Sequence, residues 1–355
     1  MFSITRLLVV LGLIGCMFAQ NAQAIGEEKF LAKNFLGIGI KAYTKNDIGA
    51  SIYYFKEALK LDSGMVEARK RLGLAYYRNG MLDDAVNEYT AVAKVEPNNE
   101  QVHNMLGIIY YTMGKTDKAI EEYQRAINAN PTNAKYYNNL GVVYYAGNLL
   151  DLAQAQYQKA LELMPNDVDV HINLGAVYHD KGLLQESIHE YEQALKQDNK
   201  NSRAYFGLGM VQATYGDLKK ARLYFNMALR AEPEYEEASE MLSLLDNPKR
   251  LYLNFADKYY RTGKYDLAIE LYSRILKIDP ACQDVLMGMG LSYCQKAGVP
   301  MQDMMAELYK NENANKGRVS LQAEIVNPAK TNPESNSDID VCNVIAYKGI
   351  VQMDF

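Results

Sequence analysis

Residues 100–133 read EQVHNMLGIIYYTMGKTDKAIEEYQRAINANPTN, and the small, aromatic and proline positions of this stretch return elsewhere at a spacing of 34 residues. Within it Leu106, Gly107, Tyr110, Gly114, Ala119, Tyr123, Ala126 and Pro131 fall where two amphipathic helices need them, with a turn at Gly114 and a stop at Pro131. A period in this range is that of a stacked array, in which each unit buries its apolar face only against its neighbours. At 355 residues the chain therefore need not divide into compact domains, because such an array grows in one dimension.

Working outward, the first unit, 32–65, is worn. It keeps Gly39, Ser51, Phe55 and Ala58 but has Ser63 where a proline would end its second helix. Units follow at 66–99 (Leu72, Gly73, Tyr76, Gly80, Ala85, Tyr89, Pro97), 134–167 (Leu140, Gly141, Tyr144, Ala153, Tyr157, Pro165), 168–201 (Leu174, Gly175, Tyr178, Gly182, Tyr191) and 202–235 (Leu208, Gly209, Gly216, Ala221, Phe225, Pro233). Thirteen residues, EEASEMLSLLDNP at 236–248, then interrupt the period with a helical pattern. A seventh unit begins at Lys249, and a degenerate eighth runs to about residue 310 as a terminal cap. The insertion is expected to bend or offset the stack. Residues 311–355 change composition and read as a linker followed by irregular or β-like sequence, including a hairpin near Lys348-Gly349.

These marks match the tetratricopeptide repeat almost position for position, and the chain resembles that family from Ala32 to Cys282. The resemblance implies an all-α, right-handed superhelical solenoid of antiparallel helix pairs. The physical logic agrees: glycine and alanine let paired helices approach, a tyrosine fills the space opposite, and Asn99, Asn133 and Asp167 after each proline turn cap the next helix.

In this family the first helix of each unit lines a concave groove. One step beyond the inner tyrosine, that place is held by Tyr43, Tyr77, Tyr111, Tyr145 and, after the insertion, Tyr260, with His179 in the fifth unit. Tyrosine offers apolar area and a hydroxyl at low entropic cost, which suits peptide recognition, and it serves equally to pack adjacent units. Asn139 and Asn173, each before Leu-Gly, and Asn254 at the matching place resemble asparagines that hold an extended peptide backbone in some relatives. The Lys/Asn/Arg clamp by which some relatives bind terminal carboxylates is not reproduced, since Leu74 and Asn139 stand where Asn and Arg are needed.

Other chemistry finds little support. The formal charge is −5, and −6 once residues 1–24, which hold Arg6 and no acid, are set aside, which argues against a nucleic-acid binder. His103 and His171 occupy a core aromatic position, and His171 and His179 are eight residues apart, not a metal-converging spacing. There is no nucleophile motif, no phosphate loop and no distinct carboxylate pair. No enzyme activity, cofactor or metal is expected.

The N-terminus carries Arg6, an apolar run from Leu7 to Ala19 and a polar stretch ending Ala22-Gln23-Ala24, the pattern of a secretory signal cleaved after residue 24. Within it Leu13-Ile14-Gly15-Cys16 resembles a bacterial lipobox, so acylation of Cys16 is the alternative. Export leaves three cysteines, an odd number, and a single helix would hold Cys282 and Cys294 about 18 Å apart, beyond disulfide reach. The expected function is a non-enzymatic scaffold or adaptor of the cell envelope, periplasmic or secreted, binding a protein or peptide partner in the groove. The alternative is an outer-membrane lipoprotein pilotin for type IV pilus or secretion assembly, associated with the membrane through its lipid.

Overall fold

The computed structural model describes residues 26–298. The signal segment and Cys16, the second helix of the eighth unit, the tail and Cys342 lie outside the described residues. Every regular element among the described residues is a helix. They are α1 (26–44), α2 (Ile48–Leu61), α3 (Val66–Arg78), α4 (Leu82–Val95), α5 (Glu100–Thr112), α6 (Thr116–Ala129), α7 (Ala134–Ala146) and α8 (Leu150–Leu163), then α9 (Val168–Lys181), α10 (Leu184–Gln197), α11 (Ser202–Tyr215), α12 (Leu218–Ala231), α13 (Glu236–Leu244), α14 (Pro248–Arg261), α15 (Tyr265–Ile278) and α16 (Gln283–Ala297). The all-α, stacked-pair architecture implied by the 34-residue period is the one observed. Helices of 13 or 14 residues are marginal alone, so packing between them sets their stability.

Close approach within each pair explains the glycines. A Cβ on Gly107 would lie 2.7 Å from the ring of Tyr123, and one on Gly73 2.8 Å from Tyr89, so the ring occupies the volume a side chain would need. The turns inside the pairs require a left-handed residue, met by glycine at Gly80, Gly114, Gly182, Gly216 and Gly263 and by Asn46 and Asn148 in the first and fourth pairs. Caps follow the sequence: the Asn99 and Asp167 side chains accept from the amides of Val102 and Val170, each at 3.1 Å.

The described residues group into a first unit ending at Val143 and a second starting at Tyr144. In the first, Phe55, Leu72, Tyr89, Val92, Leu106 and Ile109 form the interior. In the second, one interior runs from Ile172 through Phe206, Phe225 and Tyr259 to Ile275 and Val285.

The insertion resolves into a stunted first helix. Glu236 opens α13 one full period after Ser202, and Ala238 is fully buried at the place that Val170 and Ala204 hold in earlier pairs. The helix stops after nine residues, and its partner is replaced by a turn. Asn247 then caps α14 by accepting from the Arg250 amide at 3.2 Å, with Pro248 at the first helical position. The displacement expected of the insertion has a definite outcome: α14 and α15 pack back against the C-terminal ends of α9 and α11. Tyr259 donates to the His179 carbonyl oxygen at 3.1 Å, and Arg274 to the Thr214 carbonyl oxygen at 2.6 Å.

Candidate functional site

In the first unit, three of the predicted groove tyrosines recur on successive first helices, and all three are half-buried. Tyr43 is on α1, Tyr77 on α3 and Tyr111 on α5. Tyr43 and Tyr77 rest on the unit's interior, and the Arg78 guanidinium stacks over the Tyr43 ring at 5.1 Å. Burial raises the Tyr89 hydroxyl, and Tyr43, Arg71 and Glu67 all act on it, so these four groups converge at one place. Tyr123 is raised in the same way by burial and then by Tyr77 and Tyr111. Glu67 is shared by two cations, accepting from Arg71 Nε at 2.7 Å and lying 3.4 Å from Lys70 Nζ.

In the second unit the same helix position lies beneath other chain. His179, expected to face an open groove, is 1% exposed. Its Nε2 lies 2.8 Å from Thr214 Oγ1 and 3.4 Å from the Tyr259 hydroxyl, and burial holds it below the ordinary histidine range although Asp180 opposes this. That expectation is corrected: α14 covers the position. Tyr145 donates to Asp180 Oδ2 at 2.8 Å, and Lys258 donates to Asp180 Oδ1 at 2.5 Å. Burial would raise the Asp180 carboxyl, but Lys258 and then His179 outweigh it and hold the group at about 2. Tyr145, Asp180 and Lys258 thus tie the fourth, fifth and seventh pairs together. Tyr260 packs on the same interior, with its ring 5.9 Å from that of Tyr265. Beside this junction is a cleft of 340 Å³ lined by Gly182, Gln185, Thr214, Leu267 and Arg274 among others.

The three asparagines are not alike. Asn139 and Asn173 have no exposed surface. Asn139 donates to Asn104 Oδ1 at 3.0 Å, and Asn173 accepts from Arg203 at 3.3 Å, while Arg203 also pairs with Asp169 at 2.6 Å. Their amides serve neighbouring helices, which corrects the expectation that they present an open ladder to a peptide. Asn254 is half-buried.

Two features escaped the sequence reading. Asp180, Thr214, Lys258 and Arg274 gave no signal, because contacts across 60 to 80 residues follow no repeat period. The other was periodic and legible. Arg69, His103, Tyr137, His171 and Tyr205 stand 34 apart, and each side chain bonds the carbonyl oxygen six residues earlier, on Ser63, Pro97, Pro131, Pro165 and Asn199. His103 and His171 thus replace a core aromatic with a polar clamp, their other ring nitrogens 2.6 and 2.7 Å from Glu122 and Glu190.

Cys282 and Cys294 are not joined to each other by a disulfide. Among the described residues no group of three or more His, Cys, Asp or Glu is placed to hold a metal ion, and no helix is long and apolar enough to cross a membrane.

Family models described as TPR repeat match residues 109–148 and 143–182, and models described as tetratricopeptide repeat match 42–109, 172–236 and 249–282. No curated protein matches the sequence. Among solved structures, the APC/C hetero-tetramer Cut9-Hcn1 aligns at 21% identity over 62% of this chain with a TM-score of 0.52, and this chain spans only 43% of that one. The structure of pilF from Pseudomonas aeruginosa aligns at 17% identity over 61% of this chain and 99% of that one, also at 0.52. Both likenesses are of fold. MamA aligns at 28% identity over 48% of this chain and 93% of that one, at a TM-score of 0.44.

Proposed function

We propose that this chain, which belongs to the tetratricopeptide repeat family, is a non-enzymatic scaffold of the cell envelope that holds a peptide segment or subunit of a larger assembly. Repeats of this kind generally serve as non-catalytic interaction surfaces and bind protein or peptide partners. The observation that carries the assignment to a place is the contrast between units: Tyr43, Tyr77 and Tyr111 stay half-buried on successive first helices, whereas His179 lies sealed under α14. A half-buried tyrosine joins exposed apolar area to a polar end at low entropic cost, the combination that anchors peptides. Tyr145 bonds Asp180 within the sealed junction, and Asn254 and Tyr260 are half-buried on α14, so these three have a secondary part in this reading.

Location in the envelope rests on the secretory pattern ending at Ala24. The second reading, a lipid-anchored pilotin, is favoured by the single observation of Leu13-Ile14-Gly15-Cys16. Mass spectrometry of the mature N-terminus separates them. A chain starting at Ile25 removes the anchor, and an acylated Cys16 removes free export. For the groove, a photocrosslinking residue in place of Thr112, beside Tyr111 on α5, is expected to capture a defined envelope protein, and Tyr77→Ala with Tyr111→Ala to abolish capture at unchanged helicity. Capture that survives both substitutions would reduce the tyrosines to packing.

A further inference from the structure

We infer that the tyrosine-lined face of the first unit takes an acidic segment, one bearing two carboxylates three residues apart in an extended, polyproline-like conformation. The inference rests on the scaffold reading above and names the chemistry of its partner.

The first observation is charge. On α3, Lys70, Arg71 and Arg78 share one face with a single carboxylate, Glu67. This is a local excess of two positive charges in a chain whose formal charge is −5. Surplus positive charge against the sign of the whole molecule focuses anionic groups on one place and steers their approach.

The second is the state of Arg78. It is exposed, it has no carboxylate partner among the described residues, and its guanidinium lies over the Tyr43 ring. A guanidinium held over an aromatic ring has five N–H donors and, among the described residues, no carboxylate to take them, and a planar fork of this kind takes a carboxylate through two parallel hydrogen bonds. The stack also restricts the side chain beforehand, which lowers the entropic cost of binding.

The third is spacing. Arg71 and Arg78 are seven residues apart on α3, about two turns, so they project from one face about 10.5 Å apart along the axis. A polyproline-like segment rises about 3.1 Å per residue with three residues per turn, so residues i and i+3 share a side and lie about 9.3 Å apart. Two acidic residues at i and i+3 would therefore meet both arginines, while the two residues between them cross Leu74, half-buried on α3 between the arginines.

The test is fluorescence anisotropy with the purified chain and two labelled peptides, GSLEALEGS and GSLKALKGS. The acidic peptide is expected to bind at least about tenfold more tightly than the basic one, a difference of one good charged contact, and to weaken as salt is raised. Arg78→Glu should weaken GSLEALEGS by about tenfold or more and improve GSLKALKGS, while Arg78→Lys, which keeps the charge but loses the planar fork, should fall between. Arg78 is exposed, so these variants keep the fold, checked by circular dichroism. Equal binding of the two peptides that is lost in Tyr77→Ala with Tyr111→Ala would overturn the acidic specificity and leave the scaffold reading standing. Failure of GSLEALEGS to bind would overturn the inference, with the crosslinking at Thr112 deciding the scaffold reading separately.

Discussion

Removing the Asp180 carboxylate is expected to loosen α14 and α15 from α9 without unfolding the first unit. Asp180 accepts from Tyr145 and Lys258 at 2.8 and 2.5 Å and is 9% exposed. Its acidity moves from the ordinary 3.8 to about 2. At 1.36 kcal/mol per pH unit, this fall corresponds to on the order of 2 kcal/mol held in the ionised form, a factor of tens in an opening equilibrium. Because the folded-state value lies below the unfolded one, this stability is present in full above pH 3.8 and is lost as pH falls through about 2. Asp180→Asn keeps the shape and an acceptor oxygen but not the charge. At pH 7 it should therefore reduce hydrogen-exchange protection across 248–278 by about tenfold or more, reporting local rather than global opening. The difference from the native chain in urea stability should shrink as pH drops from 4 towards 2. Lys258→Met should produce a loss at least as large, since it leaves the buried Asp180 carboxylate without the cation that offsets its burial. Unchanged protection over 248–278 in Asp180→Asn, or a stability difference that is the same at pH 7 and pH 2, would refute the view that this carboxylate secures the seventh pair.

Three further outcomes follow from the packing. Gly107→Ala places a Cβ 2.7 Å from the fully buried Tyr123 ring and should cost about 1–3 kcal/mol as overpacking, read from the urea midpoint of the first unit. Asn99→Ala removes the 3.1 Å cap on the Val102 amide and should cost about 1 kcal/mol in the same assay. His171 is opposed by burial, but the Glu190 hydrogen bond and the Pro165 carbonyl oxygen outweigh it and raise its pKa. Its contribution is thus complete below pH 6.5 and lost as pH rises through the folded-state value, so His171→Gln should flatten the dependence of stability on pH above 6.5.

The helix pairs were legible because their determinants are local and repeated. Gly107 and Tyr123 restate a relation that Gly73 and Tyr89 already hold, and a period of 34 shows that relation many times. The polar clamp from Arg69 to Tyr205 was present in the same period. His103 and His171 stood where an aromatic was expected, and their distance to Glu122 and Glu190, 19 residues away on the facing helix, exists only in three dimensions. The return of α14 onto α9 was not legible. Lys258 and Asp180 are 78 residues apart, a separation that carries no periodic mark, and the only hint was a 13-residue interruption whose direction of bend depends on where α13 ends. Asn139 and Asn173 sat at plausible binding positions by register, yet register says which helix face a residue takes and not what covers that face.

One position of the first helix is put to three uses in a single chain, and this limits what a repeat signature can say about binding. At Tyr43 it lies beneath the Arg78 guanidinium. At Tyr145 it donates to a buried aspartate. At His179 it is enclosed beneath Tyr259 and Thr214. The residue types differ little in size and polarity, so the difference lies in the second layer. Where α13 stops after nine residues, the next pair is free to turn back and cover its predecessors, and the covered positions become interior. Extending α13 and restoring its missing partner helix should therefore lift α14 from α9 and expose His179. That outcome is measurable as diethyl pyrocarbonate labelling of His179, which is blocked while the residue is 1% exposed. If His179 stayed protected in a chain so extended, the stunted helix would not be the cause of the closure.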